Sequence, residues 1–185
     1  MSQNHARRVA AAATAVDAAT AAFLSFLSGL AEDTSLQALP GGWTPAGHAA
    51  HLALTNDVFF SVLKGGAGCS GPIAPFQGTS DYSDSTWNMD APPPAMAPPI
   101  LIPPVGIGRA DAVAHLRESV TRLRPAIAAL DPDLAIHCVR LPWAAVSVYQ
   151  MCEWAAGHTV RHIAQLNREL HYGATQVVVV QAESR

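Results

Sequence analysis

The chain has 185 residues, of which 50% are hydrophobic and 14% are charged, and its net charge at pH 7 is −3. This length and apolar content suit one domain with a well-filled core. Lys64 is the only lysine and the arginines are scattered, so the basic stripe of a nucleic-acid-binding surface is missing. No apolar run approaches the ~20 residues of a membrane-spanning helix. Three cysteines without a Cys-x-x-Cys pair favour a reducing, cytoplasmic setting.

Hydrophobic residues that recur every three or four positions predict four amphipathic helices. The first covers about residues 4–30, and the second covers residues 44–66, where it begins at a Thr-Pro N-cap and ends at Gly-Gly. The third covers residues 109–130, and Pro125 inside it is expected to kink or divide the helix. The fourth covers residues 147–172 and is expected to end at the glycine that follows.

The segment between the second and third helices, residues 65–108, is a long Pro-rich connection that holds most of the fourteen prolines. It cannot be a helix or a central strand, and its aromatic residues favour an ordered flap packed on the helices. The tail, residues 174–185, contains four consecutive valines that suit either a short strand or a dimer contact. We therefore predict an all-α protein: one four-helix bundle domain over residues 1–173, with a long crossover between helices two and three, and a short C-terminal tail.

Histidines occupy inward positions on two of the predicted helices, where leucine or valine would be expected. His158 and His162 are four residues apart on the fourth helix, so they share a face, with Cβ atoms about 5–6 Å apart, and can bind one metal ion. His51 can supply a third ligand if the second helix faces the fourth. Three imidazoles leave coordination positions open, as in catalytic sites. Spacing alone leaves open that these are ordinary core histidines.

The residue that follows the first histidine of this pair bears on the chemistry. Thr159 stands where a zinc-protease motif would place a glutamate as general base. A hydrolase would therefore need its base from another part of the chain. A thiol nucleophile needs no such base, because coordination to a metal deprotonates it.

Two segments carry a resemblance to a known family. Residues 43–52, WTPAGHAAHL, resemble the W-[ST]-x6-H-L opening of the second helix in the DinB-like (YfiT-like) metal-binding four-helix bundles. Residues 157–165, GHTVRHIAQ, are similar to the H-x3-H-x2-Q stretch on the last bundle helix of that family. The resemblance covers most of the chain and maps the family's metal ligands onto His51, His158 and His162.

The resemblance implies a divalent metal ion, Zn or Ni, with Fe or Mn as alternatives. Several members are transferases or isomerases that use a small thiol such as bacillithiol, mycothiol or glutathione. We therefore predict a metal-dependent transferase that activates a low-molecular-weight thiol, acts on a small-molecule substrate and forms a homodimer. The alternatives are a metal-dependent hydrolase of the same fold and a non-enzymatic metal-binding stress or interaction protein. Two features depart from the family pattern: Gly47 stands where members often carry glutamate, and the Pro-rich connection is unusually long.

Four further residues lie in or near these motifs, and two of them allow two interpretations each. His48 shares the face of His51 and is either a fourth ligand or a core residue that supports a ligand. Gln165 either holds a metal-bound water or a ligand ring, or is solvated. Arg161 is expected to lie off the metal face, yet it can still meet an anionic carboxylate. Trp43 is expected to be an apolar anchor before the N-cap.

Overall fold

The structure, a computed structural model, describes residues 3–66, 74–75, 97–140 and 145–183. Its helices are α1 (Gln3–Ser28), α2 (Glu32–Leu36), α3 (Pro45–Leu63), α4 (Arg109–Ala128), α5 (Pro132–Ala135) and α6 (Val148–Glu183). Its strands are β1 (Ala74–Pro75), β2 (His137–Arg140) and β3 (Ala145–Ser147), and a 3-10 turn covers Pro99–Leu101.

The four long helices form the predicted bundle. In it α1 packs on α4, α4 on α3, α3 on α6 and α6 on α1, so that the four close into a ring around one core. The residues at its centre are fully buried and include Phe23, Leu27, Phe59, Leu116, Leu123, Ile127, Met151 and Leu166. The all-α prediction is therefore confirmed. The ring order also makes α3 and α6 direct neighbours.

The first helix is held in the bundle by its apolar face and by two surface ion pairs. Arg124 of α4 donates to Asp17 at 2.6 Å, and Arg8 pairs with Glu153 of α6. Contrary to the sequence-based expectation, α1 is long and apolar enough to cross a membrane by length and composition, although core helices of soluble proteins meet the same criterion. Cytoplasmic localisation stays a prediction.

The start of α3 and the end of α4 follow local sequence signals. The Thr44 hydroxyl oxygen accepts a hydrogen bond from the Gly47 amide at 2.8 Å, which confirms the predicted N-cap. Pro125 lies within the last turn of α4 and does not divide the helix. The helix ends three residues later, at Ala128. The missing N–H of Pro125 therefore removes one hydrogen bond near the end of the helix, and the hydrogen bonds in its middle are kept.

The last helix is longer than predicted. It continues through Glu183, so the predicted end at Gly173 is wrong, and so is the strand alternative for residues 177–180. A glycine inside a helix costs only about 1 kcal/mol relative to alanine, which neighbouring turns can offset. The dimer-contact alternative and the domain boundary at residue 173 stay predictions.

A small antiparallel sheet in the order β1-β2-β3 was not predicted. Cys138 lies opposite both Ala74 and Ser147, and the buried Val139 lies opposite the buried Val146. The proline of β1 sits on an edge strand, the position in a sheet where proline is tolerated. Most of the predicted flap, including residues 67–73 and 76–96, lies outside the described residues. Of the rest, β1 joins this sheet, and Leu101 is buried against α3.

Candidate metal centre

Three histidines from two neighbouring helices converge in the core of the bundle. His51 comes from α3, and His158 and His162 come from α6, as the sequence predicted. The Nε2 atom of His158 lies 3.3 Å from Nε2 of His51 and 2.9 Å from Nε2 of His162. All three side chains are buried, and their ligand atoms lie within 4.8 Å of one another. These three histidines could therefore hold a metal ion.

The arrangement fits a divalent metal ion in two respects. Two nitrogens at the usual ~2.0–2.1 Å from zinc, separated by a tetrahedral angle, lie about 3.3 Å apart, close to the spacings observed here. Burial lowers the pKa of His158 and His162 well below 6.5, and the repulsion that would arise if two neighbouring histidines were both protonated lowers it further. Burial also lowers the pKa of His51. Neutral imidazoles keep the lone pair that a metal ion needs.

His51 is oriented by the main chain of the 3-10 turn. Its Nδ1 donates a hydrogen bond to the carbonyl oxygen of Leu101 at 2.8 Å, which turns Nε2 toward the other two histidines. An acceptor on the second nitrogen fixes the tautomer and the ring plane of a ligating histidine. Sequence reasoning missed this partner, since a backbone carbonyl fifty residues away has no signature in the sequence.

His48 lies behind the cluster and contacts His162. The two Nδ1 atoms are 2.9 Å apart, on the side of His162 that faces away from His158. His48 is 1% exposed, and burial, together with the charge of His51, lowers its pKa to about 4. Its ring nitrogens are not among the converging ligand atoms, so this geometry favours the supporting role over the fourth-ligand alternative.

Two tryptophans flank the histidines. The indole of Trp154 stacks on His158 with ring centroids 4.4 Å apart and an interplanar angle of 16°. The centroid of Trp43 lies 4.7 Å from that of His51 and 5.4 Å from that of His48. Trp43 is thus more than the predicted helix anchor. Trp154 was missed, although its position four residues before His158 places it on the same helix face.

The remaining residues of the motifs have separate roles. Gln165 donates to the Glu169 carboxylate at 2.8 Å, which ties its amide to the next turn of α6. Arg161 is half-buried, and its positive charge helps to lower the pKa of all three clustered histidines. Its predicted position off the metal face stays a prediction. A Cβ atom on Gly47 would lie 3.3 Å from the Thr44 hydroxyl oxygen, so a larger residue there would crowd the N-cap.

The comparisons with known proteins identify a family for this chain. No curated protein and no solved structure matches the chain. A model of the DinB superfamily matches residues 15–166. This range includes all of α3 and α4, parts of α1 and α6, the N-cap of α3 and the three converging histidines. This match covers most of the sequence and includes both motifs, residues 43–52 and 157–165. The chain therefore belongs to the DinB superfamily.

Proposed function

We propose that this protein is a metal-dependent transferase that activates a small thiol at His51, His158 and His162. The observation that carries the proposal is the convergence of three buried Nε2 atoms without a fourth protein ligand among the described residues. A three-histidine set of this kind leaves room for an exogenous ligand.

Within the part of the chain that the structure describes, no carboxylate base joins the cluster, which favours a thiol over water as the nucleophile. The hydroxyl of Thr159 donates to the carbonyl oxygen of Ala155 at 3.2 Å, and no carboxylate joins the cluster among the described residues. A divalent ion, when bound, lowers the pKa of a coordinated thiol. The chain's own Cys152 does not supply this thiol, because burial raises its pKa to about 12.

Arg161 suits the recognition of an acidic thiol. It lies on the turn between the two α6 ligands, and within the described part of the chain it forms no ion pair. A half-buried guanidinium favours a carboxylate partner, and it binds one with paired N–H donors. Glutathione and bacillithiol carry such carboxylates, so Arg161 would hold the thiol while the histidines hold the metal ion.

The test is a conjugation assay on the metal-loaded protein. Protein loaded with Zn²⁺ or Ni²⁺ is mixed with 1-chloro-2,4-dinitrobenzene and, in separate reactions, with glutathione, bacillithiol or mycothiol. The sulfur forms a bond to the ring carbon, chloride leaves with its bonding electrons, and the thiol proton passes to solvent. Product absorbance should grow faster than without protein, and only when metal and one of the thiols are both present.

Two variants give the assay its controls. His158→Ala should abolish both metal binding and turnover. His115→Ala should keep both, because His115 lies on α4 and binds Asp57 at 2.9 Å, outside the cluster. Metal-dependent ester or amide hydrolysis without any thiol would support the hydrolase instead. Metal binding without turnover of either kind would support the non-enzymatic alternative.

A further inference from the structure

His48 has a position that the proposed function does not explain. The Nε2 atom of His162 faces His158 at 2.9 Å, so its Nδ1 atom points to the opposite side, where it meets Nδ1 of His48 at 2.9 Å. The two ring centroids are 5.0 Å apart, and both side chains are buried. His48 therefore contacts a candidate ligand from behind, at the one nitrogen of His162 that is not directed at the cluster.

When a metal ion is bound to Nε2 of His162, the chemistry of imidazole fixes the position of the protons on this pair. Two ring nitrogens 2.9 Å apart are in hydrogen-bond contact only if one of them carries a proton. A neutral His162 that presents a lone pair on Nε2 must carry its proton on Nδ1. His162 is then the donor, and His48 is the acceptor through Nδ1. The single proton of His48 is left on its own Nε2.

We propose that His48 is a positioning residue that accepts the Nδ1 proton of His162 and so keeps the Nε2 lone pair of His162 directed at the metal ion. This inference rests on the metal site of the proposed function. His51 is oriented in the same way: its Nδ1 donates to the Leu101 carbonyl and its Nε2 faces the cluster. Two of the three histidines are thus oriented from behind, one by the main chain and one by a side chain.

A second observation supports this role. The Nε2 atom of His48 is buried and has no hydrogen-bond partner in the described part of the chain. Buried polar atoms without a partner are uncommon in native structures. His48 is nevertheless buried beside the half-buried Trp43, and its other nitrogen contacts His162. The contact with His162 accounts for a histidine at this buried position.

The first test measures zinc affinity by competition with a chromophoric chelator at neutral pH. His48→Leu removes the acceptor at similar volume, and loss of such a partner should weaken Zn²⁺ binding about 10–100-fold. His48→Asn places an amide oxygen near the former Nδ1 and should restore most of the affinity. Equal affinities of His48→Leu and the unchanged protein would overturn the inference, and His115→Asn controls for the loss of a remote histidine.

The second test reads the tautomers directly in the unaltered protein. Long-range ¹⁵N–¹H spectra of the Zn²⁺-loaded protein should show His48 with a protonated Nε2 and His162 with a protonated Nδ1. A proton on Nδ1 of His48 in that state would refute the inference, even if His48→Leu failed to fold. Failure of the unaltered protein to bind Zn²⁺ at all would instead refute the proposed function, which separates the two failures.

Discussion

The buried histidines should make the metal-free protein unstable in mild acid. The pKa of His48 is about 6.5 in the unfolded chain and about 4 in the folded protein, mainly because of burial. Between these values the unfolded chain binds a proton that the folded protein does not, so the free energy of unfolding falls as the pH falls from 6.5 to 4. Above pH 6.5 both states are neutral at this residue and the full stability is present.

The size of the effect follows from the same two values. The difference between 6.5 and about 4, at about 1.4 kcal/mol per pH unit, amounts to about 3 kcal/mol for His48. About 2 kcal/mol of this should be lost between roughly pH 7.5 and pH 5. His158, His162 and His51 act in the same direction, since burial lowers each of their pKa values, so the total loss should exceed that of His48 alone.

The assay is urea denaturation in the presence of a chelator at several pH values in this range. The slope of the unfolding free energy against pH gives the number of protons taken up on unfolding. His48→Asn cannot titrate at this position, so its curve should be shallower by up to one proton. A flat curve for the unchanged protein, or identical slopes for the two proteins, would refute the view that the cluster is held neutral by burial.

Three further outcomes are expected. Zn²⁺ at 100 times its dissociation constant should stabilise the protein by about 2.7 kcal/mol, seen as a rise in melting temperature, and His158→Ala should show no rise. Thr44→Ala removes the N-cap of α3 and should cost about 1 kcal/mol in urea denaturation, with Thr44→Ser as the conservative control. Phe23→Ala leaves a cavity at a fully buried position and should lower the free energy of unfolding by about 3–5 kcal/mol. The zinc affinity of the folded protein should stay unchanged. A weakened affinity would show that this part of the core supports the site.

The sequence predicted the bundle and the convergent histidines because both depend on helical periodicity. An unbroken spacing of three and four residues fixes which side chains of α4 face the core, and the same spacing places His158 and His162 on one face. Thr44 and the proline after it marked the start of α3, since capping is a local property. These signals depend on residues within one or two turns of each other.

The parts that the sequence did not predict depend on contacts between distant segments. Strands of two to four residues, such as β1, are too short for an alternating pattern to be recognised. Gly173 resembles a helix end, but the stop also needs a left-handed backbone conformation, which residue types alone do not determine. The contact of His48 with His162 required the ring order of the helices, which places α3 beside α6.

The hydrogen bond from His51 to the Leu101 carbonyl has a consequence for mutagenesis. Replacement of the Leu101 side chain leaves the carbonyl in place, so an alanine scan would not register its role in orienting the imidazole. The orientation of the imidazole depends instead on the backbone conformation of the 3-10 turn, which Pro98 and Pro99 restrict. Paired proline replacements, or an ester in place of the peptide bond, would be needed to detect it.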